Sequence, residues 1–134
     1  MDTSELDEAK YLSLTTFTRD GAPKPAPLWF VGSGGRYQMT TDADAWKVKR
    51  IRNTPDVWLE VCDIRGEVAQ AATRFEARAE LTDDAGSARI DDAVMARYGL
   101  AGKAIMAIQW VGRKVRRQPP RTPQGIELTV TGAV

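Results

Sequence analysis

The stretch Tyr37–Pro55, YQMTTDADAWKVKRIRNTP, decides how the rest of the chain is read. Tyr37–Thr41 reads as a strand, Asp42-Ala-Asp44 as a turn, and about Ala45 to Asn53 as a short helix. Asp42 or Asp44 can cap that helix by accepting backbone N–H bonds. The chain then returns to an extended path, because the residue before Pro55 is biased out of the helical region. At 100° per residue, Ala45, Val48 and Ile51 share the packed face, and Trp46, Arg50 and Asn53 point away from it. Lys47, Lys49, Arg50 and Arg52 put four cations within six residues. A hydroxyl pair at a strand end, Thr40 and Thr41, followed by a helix start and this fork of cations, suits a phosphate. A solvated basic helix face would carry the same charges.

Working outward, Tyr11–Thr18 is strand-like, with Leu12, Leu14 and Thr16 on one face. Arg19–Pro23 is a hairpin turn in which Asp20-Gly21 supplies the positive φ. Lys24–Val31 reads as the second strand. Pro23, Pro25 and Pro27 fall at every second position, so one side of it has no donors and must be an edge. That pattern protects against edge-to-edge pairing, and it also leaves a surface along Leu28-Trp29-Phe30 on which a flat ligand can lie. Gly32–Gly35 turns the chain back, so three strands are expected before the basic helix.

Val57–Cys62 alternates cleanly after the helix, with Val57, Leu59 and Val61 inward. A long strand is expected over Val68–Leu81, its alanine-rich first half (Ala69, Ala71, Ala72) suited to close approach by another surface. Ser4–Lys10 reads as one or two helical turns with Ser4 as cap. A further helix is expected from about Ala85 to Tyr98, capped by Thr82-Asp-Asp84 and stopped by Gly99. Ala104–Val111 then reads as a strand, with Met106, Ile108 and Trp110 on one face. Gly112–Gln124 reads as a basic bend or arm, with a short strand in Arg113–Arg117. Gly125–Thr131 closes the sheet. Six or seven antiparallel strands with two or three short helices must curl or be covered to protect their edges, which makes a small β-barrel of one domain over residues 1–134.

Composition narrows the function classes. The chain has 134 residues with a formal net charge of +1. A charge so near zero gives no overall pull toward nucleic acid or an anionic membrane. Aromatic residues make up only 7%, too few for an evident base-stacking platform. A single cysteine, Cys62, excludes an internal disulfide framework, and the absence of histidine removes the commonest general base, the usual haem ligand and most zinc sites. Residues 1–10 are acidic and no apolar run reaches membrane-spanning length, so a cytoplasmic protein without a membrane span is expected.

Taken in order, Leu12-Ser-Leu-Thr-Thr-Phe-Thr-Arg-Asp-Gly-Ala-Pro23, Pro27-Leu-Trp-Phe30, Thr40-Thr41, Trp46-Lys47 through Asn53-Thr-Pro55 and Val57–Val61 resemble the split β-barrel flavin and deazaflavin proteins. This is the pyridoxamine-phosphate-oxidase-like superfamily, and within it the chain is most similar to the small F420-dependent oxidoreductases (flavin/deazaflavin oxidoreductase group B). The resemblance runs from about residue 6 to residue 112. It implies an FMN-binding-like split barrel, a homodimer with cofactor grooves between protomers, and a small-molecule substrate. It also implies cofactor-binding positions. Lys47 falls where the family's phosphate-gripping lysine lies, with Arg50 as a second grip and Thr40 and Thr41 as the hydroxyls beside the phosphate. Pro27, Leu28 and Trp29 match the wall behind the tricyclic ring, and Trp46 is either a ring contact or a dimer contact.

Flavin-binding relatives often carry Arg and Lys on the strand that here reads Ala26–Val31. This strand is apolar, which favours F420 over FMN. The implied activity is an oxidoreductase moving a hydride between reduced deazaflavin and a small organic substrate. A ring that itself carries the hydride needs position and electrostatics from the protein, so the lack of a catalytic dyad is no obstacle. Tyr37, Tyr98 or solvent would give a proton if one is needed. The alternatives are an FMN-dependent oxidase or reductase on the same fold, and a non-catalytic F420 carrier. The haem-degrading role also known on this fold lacks its histidine ligand here.

Overall fold

A computed structural model describes residues 2–115 and 122–134, with the side chains of 100–115 outside the described set. Its strands are β1 (Tyr11–Phe17), β2 (Pro23–Leu28), β3 (Val31–Ser33), β4 (Arg36–Asp42), β5 (Asp56–Cys62), β6 (Phe75–Leu81) and β7 (Pro123–Ala133). Its helices are α1 (Ser4–Asp7), α2 (Trp46–Asn53) and α3 (Asp84–Val115). The strands form one antiparallel sheet in the order β2-β1-β5-β6-β7-β4-β3.

The two edges of that sheet, β2 and β3, are consecutive in the chain and separated only by Trp29 and Phe30. The three Cα steps from Leu28 to Val31 span at most about 11 Å, so the sheet must curl until its edges meet. Taken as one bent strand, 23–33 pairs with β1 through its first half and with β4 through its second, closing a six-stranded ring. This is a split β-barrel. Leu12, Leu14, Phe30, Met39, Leu59, Phe75 and Ile126 fill its interior.

The prolines make β2 an edge strand, as their spacing predicts. Pro23, Pro25 and Pro27 stand opposite Phe17, Thr15 and Ser13. A proline cannot exchange an N–H bond, so these are the non-hydrogen-bonded pairs, and Lys24, Ala26 and Leu28 carry the ladder to β1. The free side of β2 therefore has no donor at positions 23, 25 or 27, and another strand cannot add there.

The bend takes the backbone of Phe30 out of both ladders and buries its side chain completely. Two side chains of α3 replace the missing partners. Phe30 N–H donates to the Tyr98 hydroxyl at 3.2 Å, and Phe30 C=O accepts from Arg97 Nη1 at 2.6 Å. The same two residues hold the start of the barrel: Arg97 Nη2 donates to Ala9 C=O at 2.9 Å, and Tyr98 donates to Lys10 C=O at 2.6 Å. Trp29 stacks on the Tyr98 ring at 4.7 Å, and the Arg97 guanidinium lies 4.3 Å from the centre of the Phe30 ring.

The first half of α3 lies across β4 and β7. Its contact is close because position 125 is glycine: a Cβ there would fall 2.9 Å from Ile90 Cδ1 and 3.0 Å from Ser87 Cα. Asp83 caps the helix start, its Oδ1 accepting from Gly86 N–H at 2.7 Å.

Several expectations are corrected. The strand expected over Lys24–Val31 is two strands, so four strands precede α2 rather than three. The strand expected over Val68–Leu81 begins only at Phe75; Val68 makes a lone bridge to Cys62, and Ala72 N–H turns back onto Ala69 C=O. The alternation there starts with Phe75, and alanines with Gln70 carry no period-2 signal. Ala104–Val111 is helical, as is 113–115; Arg116 and Arg117 of the short strand expected there, and the rest of 116–121, lie outside the described residues. Short apolar runs fit either period, and here Ala, Met and Gln favour the helix. Gly99 does interrupt α3, at φ 60° and ψ −139°, but the chain resumes helix beyond it. Of the segment read as a bend or arm, 112–115 is helix and 123–124 belongs to β7. The N-cap of α2 is Ala45 with no side-chain cap bond, so neither Asp42 nor Asp44 caps it. Ser4 does not cap α1; its N–H donates to Asp2 Oδ1 at 2.9 Å.

Tyr98→Phe leaves the buried Phe30 N–H and the Lys10 C=O without their hydroxyl partner. Equilibrium urea unfolding is expected to show a loss of about 1–3 kcal/mol with an unchanged m-value.

Candidate functional site

Strand pleating decides which hydroxyls face α2. Tyr37 and Met39 point into the barrel, so Thr41 shares their side and Thr40 takes the other. Thr40 donates to Asp91 Oδ1 on α3 at 3.0 Å. Thr41 instead meets α2, accepting from Lys47 Nζ at 3.3 Å. On the opposite rim Thr16 accepts from Arg50 Nη1 at 3.4 Å. The adjacent threonines therefore face different helices, Thr40 toward α3 and Thr41 toward α2, and Thr16 of β1 stands at the rim beside Arg50.

Val48 and Ile51 are buried beneath α2, which sets Lys47 and Arg50 over the barrel mouth. Burial is the main cause of a lowered Lys47 pKa; Asp42 works against it, and the like charge of Arg50 adds to it. A half-buried ammonium with one long hydrogen bond to a threonine suits an anion, which would restore the solvation lost on burial.

Arg50 also belongs to an open cleft of about 540 Å³ on the outer side of α2. Phe17, Thr18 and Arg19, from the end of β1 and the hairpin after it, form one wall; Trp46, Lys49, Arg50, Arg52 and Asn53 form the other. The hairpin holds its shape through Gly21 at φ 87° and through Thr18, whose Oγ1 accepts from Ala22 N–H at 2.9 Å. Trp46 is 69% exposed, and its ring carries the Lys49 ammonium at 4.4 Å. Phe17, Thr18 and Arg19 went unassigned in the sequence because nothing local shows that the first hairpin folds against α2.

Of the other expected positions, Pro27 pairs with Ser13, four residues along β1 from Phe17. At about 3.4 Å per residue that is about 14 Å from Phe17. Leu28 packs on the core, and Trp29 stacks on Tyr98. Trp46, Lys47, Arg50 and Thr41 are thus brought together, while Pro27, Leu28, Trp29 and Thr40 are placed elsewhere. Neither tyrosine considered as a proton donor lines the cleft. Tyr37 is buried with its hydroxyl on Asp7, and Tyr98 is engaged at the bend; burial raises both pKa values. Burial likewise pushes the Cys62 thiol up to about 11, which leaves it unreactive.

The family model for pyridoxamine 5'-phosphate oxidase matches residues 3–130. The chain belongs to the pyridoxamine 5'-phosphate oxidase family. No curated protein matches it. Solved structures share the fold at low identity. An F420 reductase is 19% identical, with 98% of this chain and 94% of that one covered and a TM-score of 0.61. An FAD-binding protein from Mesorhizobium loti is 16% identical, with 98% and 88% covered and a TM-score of 0.65. A haem storage protein from Vibrio cholerae is 18% identical, with 95% and 86% covered and a TM-score of 0.64. Among the described residues no helix is long and apolar enough to cross a membrane, and no group of metal-ligating side chains occurs.

Only a protonated Lys47 attracts an anion, and burial lowers its pKa in the free protein. Binding of inorganic pyrophosphate, followed by calorimetry, is therefore expected to be full at neutral pH. It should weaken as pH rises through that lowered pKa, below the ordinary lysine range. Lys47→Arg is expected to remove this alkaline loss.

Proposed function

We propose that the protein is an F420-binding oxidoreductase that moves a hydride between the deazaflavin and a small organic molecule. The observation that carries this reading is the continuity of charge at α2. Lys47 and Arg50 over the threonine-lined mouth suit a phosphate, and the adjoining cleft adds Arg19, Lys49 and Arg52. A phosphate followed by a tail of carboxylates matches that run of cations. FMN, the alternative, would use Lys47 and Arg50 and leave the other three without anions. The family and an F420 reductase of the same fold are consistent with a flavin-type cofactor.

When bound, the deazaflavin itself carries the hydride. The protein's part is to anchor and orient it. Lys47, Arg50 and Thr41 hold the phosphate, and the exposed Trp46 ring offers a flat apolar surface. Thr40, turned to Asp91, supports the strand from behind. Pro27 and Leu28, at the far end of β2, and Trp29 after it are too distant from Phe17 to wall the same cleft, so in this reading they face the cofactor bound mainly by a partner copy in a homodimer. A non-catalytic carrier would bind the cofactor equally well and reduce nothing.

F420 is expected to bind about tenfold or more tightly than FMN at low salt, since each exposed tail contact adds about 0.2–1 kcal/mol. The gap should narrow as salt is raised. Parallel fluorescence titrations measure this, and tighter FMN binding would overturn the assignment. Lys47→Ala is expected to weaken either cofactor by about ten- to a hundredfold, the loss of one charged hydrogen bond. Light scattering should give twice the 14.8 kDa chain mass; a monomer would remove the partner wall.

A further inference from the structure

Phe17 has a second cleft on its other side. It measures about 360 Å³ and is lined by Phe17, Asp56, Val57, Trp58, Glu76 and Ala77. Val57 and Ala77 are a cross-strand pair with buried side chains, so the wall is made by the outward residues around them. The Phe17 ring stands edge-to-face on Trp58, with centroids 4.7 Å apart at 88°. Trp58 and Glu76 face each other across β5 and β6.

The polarity of this cleft is opposite to that of its neighbour. Asp56 has Arg78 at 3.9 Å, but both side chains are largely exposed, so the contact is weak. Glu76 makes no hydrogen bond or ion pair among the described residues. Trp58 already attracts one cation, the Arg74 guanidinium at 4.1 Å from its ring centre. Aromatic edges and faces beside two accessible carboxylates favour a cation with an apolar body.

We infer that this second cleft is the substrate subsite, and that it takes a small aromatic or heteroaromatic organic cation. The inference rests on the cofactor reading for the word substrate, since Phe17 is the wall shared with the cationic cleft. The two sides of Phe17 then sort ligands by charge: an anionic cofactor beside α2, a cationic substrate beside Asp56 and Glu76. Phe17 keeps the two within reach of each other.

The test uses the full chain and three probes of similar size: benzyltrimethylammonium, benzyl alcohol and benzoate. Calorimetry at low salt is expected to show the cation binding at least tenfold more tightly than the alcohol, with benzoate weakest at this site. Glu76→Gln should weaken the cation about threefold to fivefold and Asp56→Asn by a similar factor, with the titrated dissociation constants for F420 and FMN unchanged. Chemical shifts of the Trp58 indole should move with the cation at concentrations at which the alcohol leaves them in place. A cation no tighter than the alcohol, or an affinity indifferent to Glu76→Gln, would overturn the proposal. So would variants that change the light-scattering mass instead of the cation affinity, because the cleft would then be a contact between copies. If neither F420 nor FMN binds while the cation still does, the cofactor reading fails and the cation site stands.

Discussion

The capture of the Phe30 backbone by Arg97 and Tyr98 is the constraint on which the barrel depends. A strand that changes partners halfway must leave both ladders for a residue or two, and its N–H and C=O cannot be buried unpaired. Here one guanidinium and one phenol supply both missing partners and also hold Ala9 and Lys10 at the entry to β1. Closing the ring and tethering the chain start are therefore one event. Gly99 follows at once in a conformation that residues with a side chain rarely adopt, so the helix changes direction directly after it has made these bonds.

Closure also decides what lies at the barrel mouth. With the ring shut, β1 and β4 bring Thr16 and Thr41 to the rim beneath α2. The helix is short and carries no side-chain cap, so its hold comes from Val48 and Ile51 beneath it rather than from propensity. That seating half-buries Lys47 while leaving Trp46 outside. The proposed function follows from this division. One side of the helix is dry enough to make an ammonium seek an anion, and the other is open enough to admit a ligand.

The cationic cleft is made from two segments separated by more than twenty-five residues, the hairpin at Phe17–Arg19 and the outer face of α2. Its neighbour across Phe17 is acidic and draws on β5 and β6. A sheet that curls places the outer faces of β1, β5 and β6 side by side, so a change in the sign of charge occurs over the width of one aromatic ring. The chain as a whole is almost neutral, and the separation of charge is local to these two clefts.

Local chemistry alone determined the features whose physics is local. The period-3.6 pattern of Val48 and Ile51 set the faces of α2, the strict alternation from Phe75 to Leu81 set those of β6, and the alternating prolines made β2 an edge. The placement of Lys47, Arg50 and Trp46 on α2, off its packed face, was legible for the same reason, because a helix displays its residues by spacing. Tertiary structure decided the rest. Whether Lys24–Val31 is one strand or two depends on partners at both ends of the sheet, and apolar residues from 104 to 111 suit a helix or a strand until packing chooses. Thr40 and Thr41 look like a pair in the sequence, yet the pleat turns them to opposite faces. Phe17, Thr18 and Arg19 join the site only because the ring closes, since contact between distant segments is a property of the closed barrel and not of either segment.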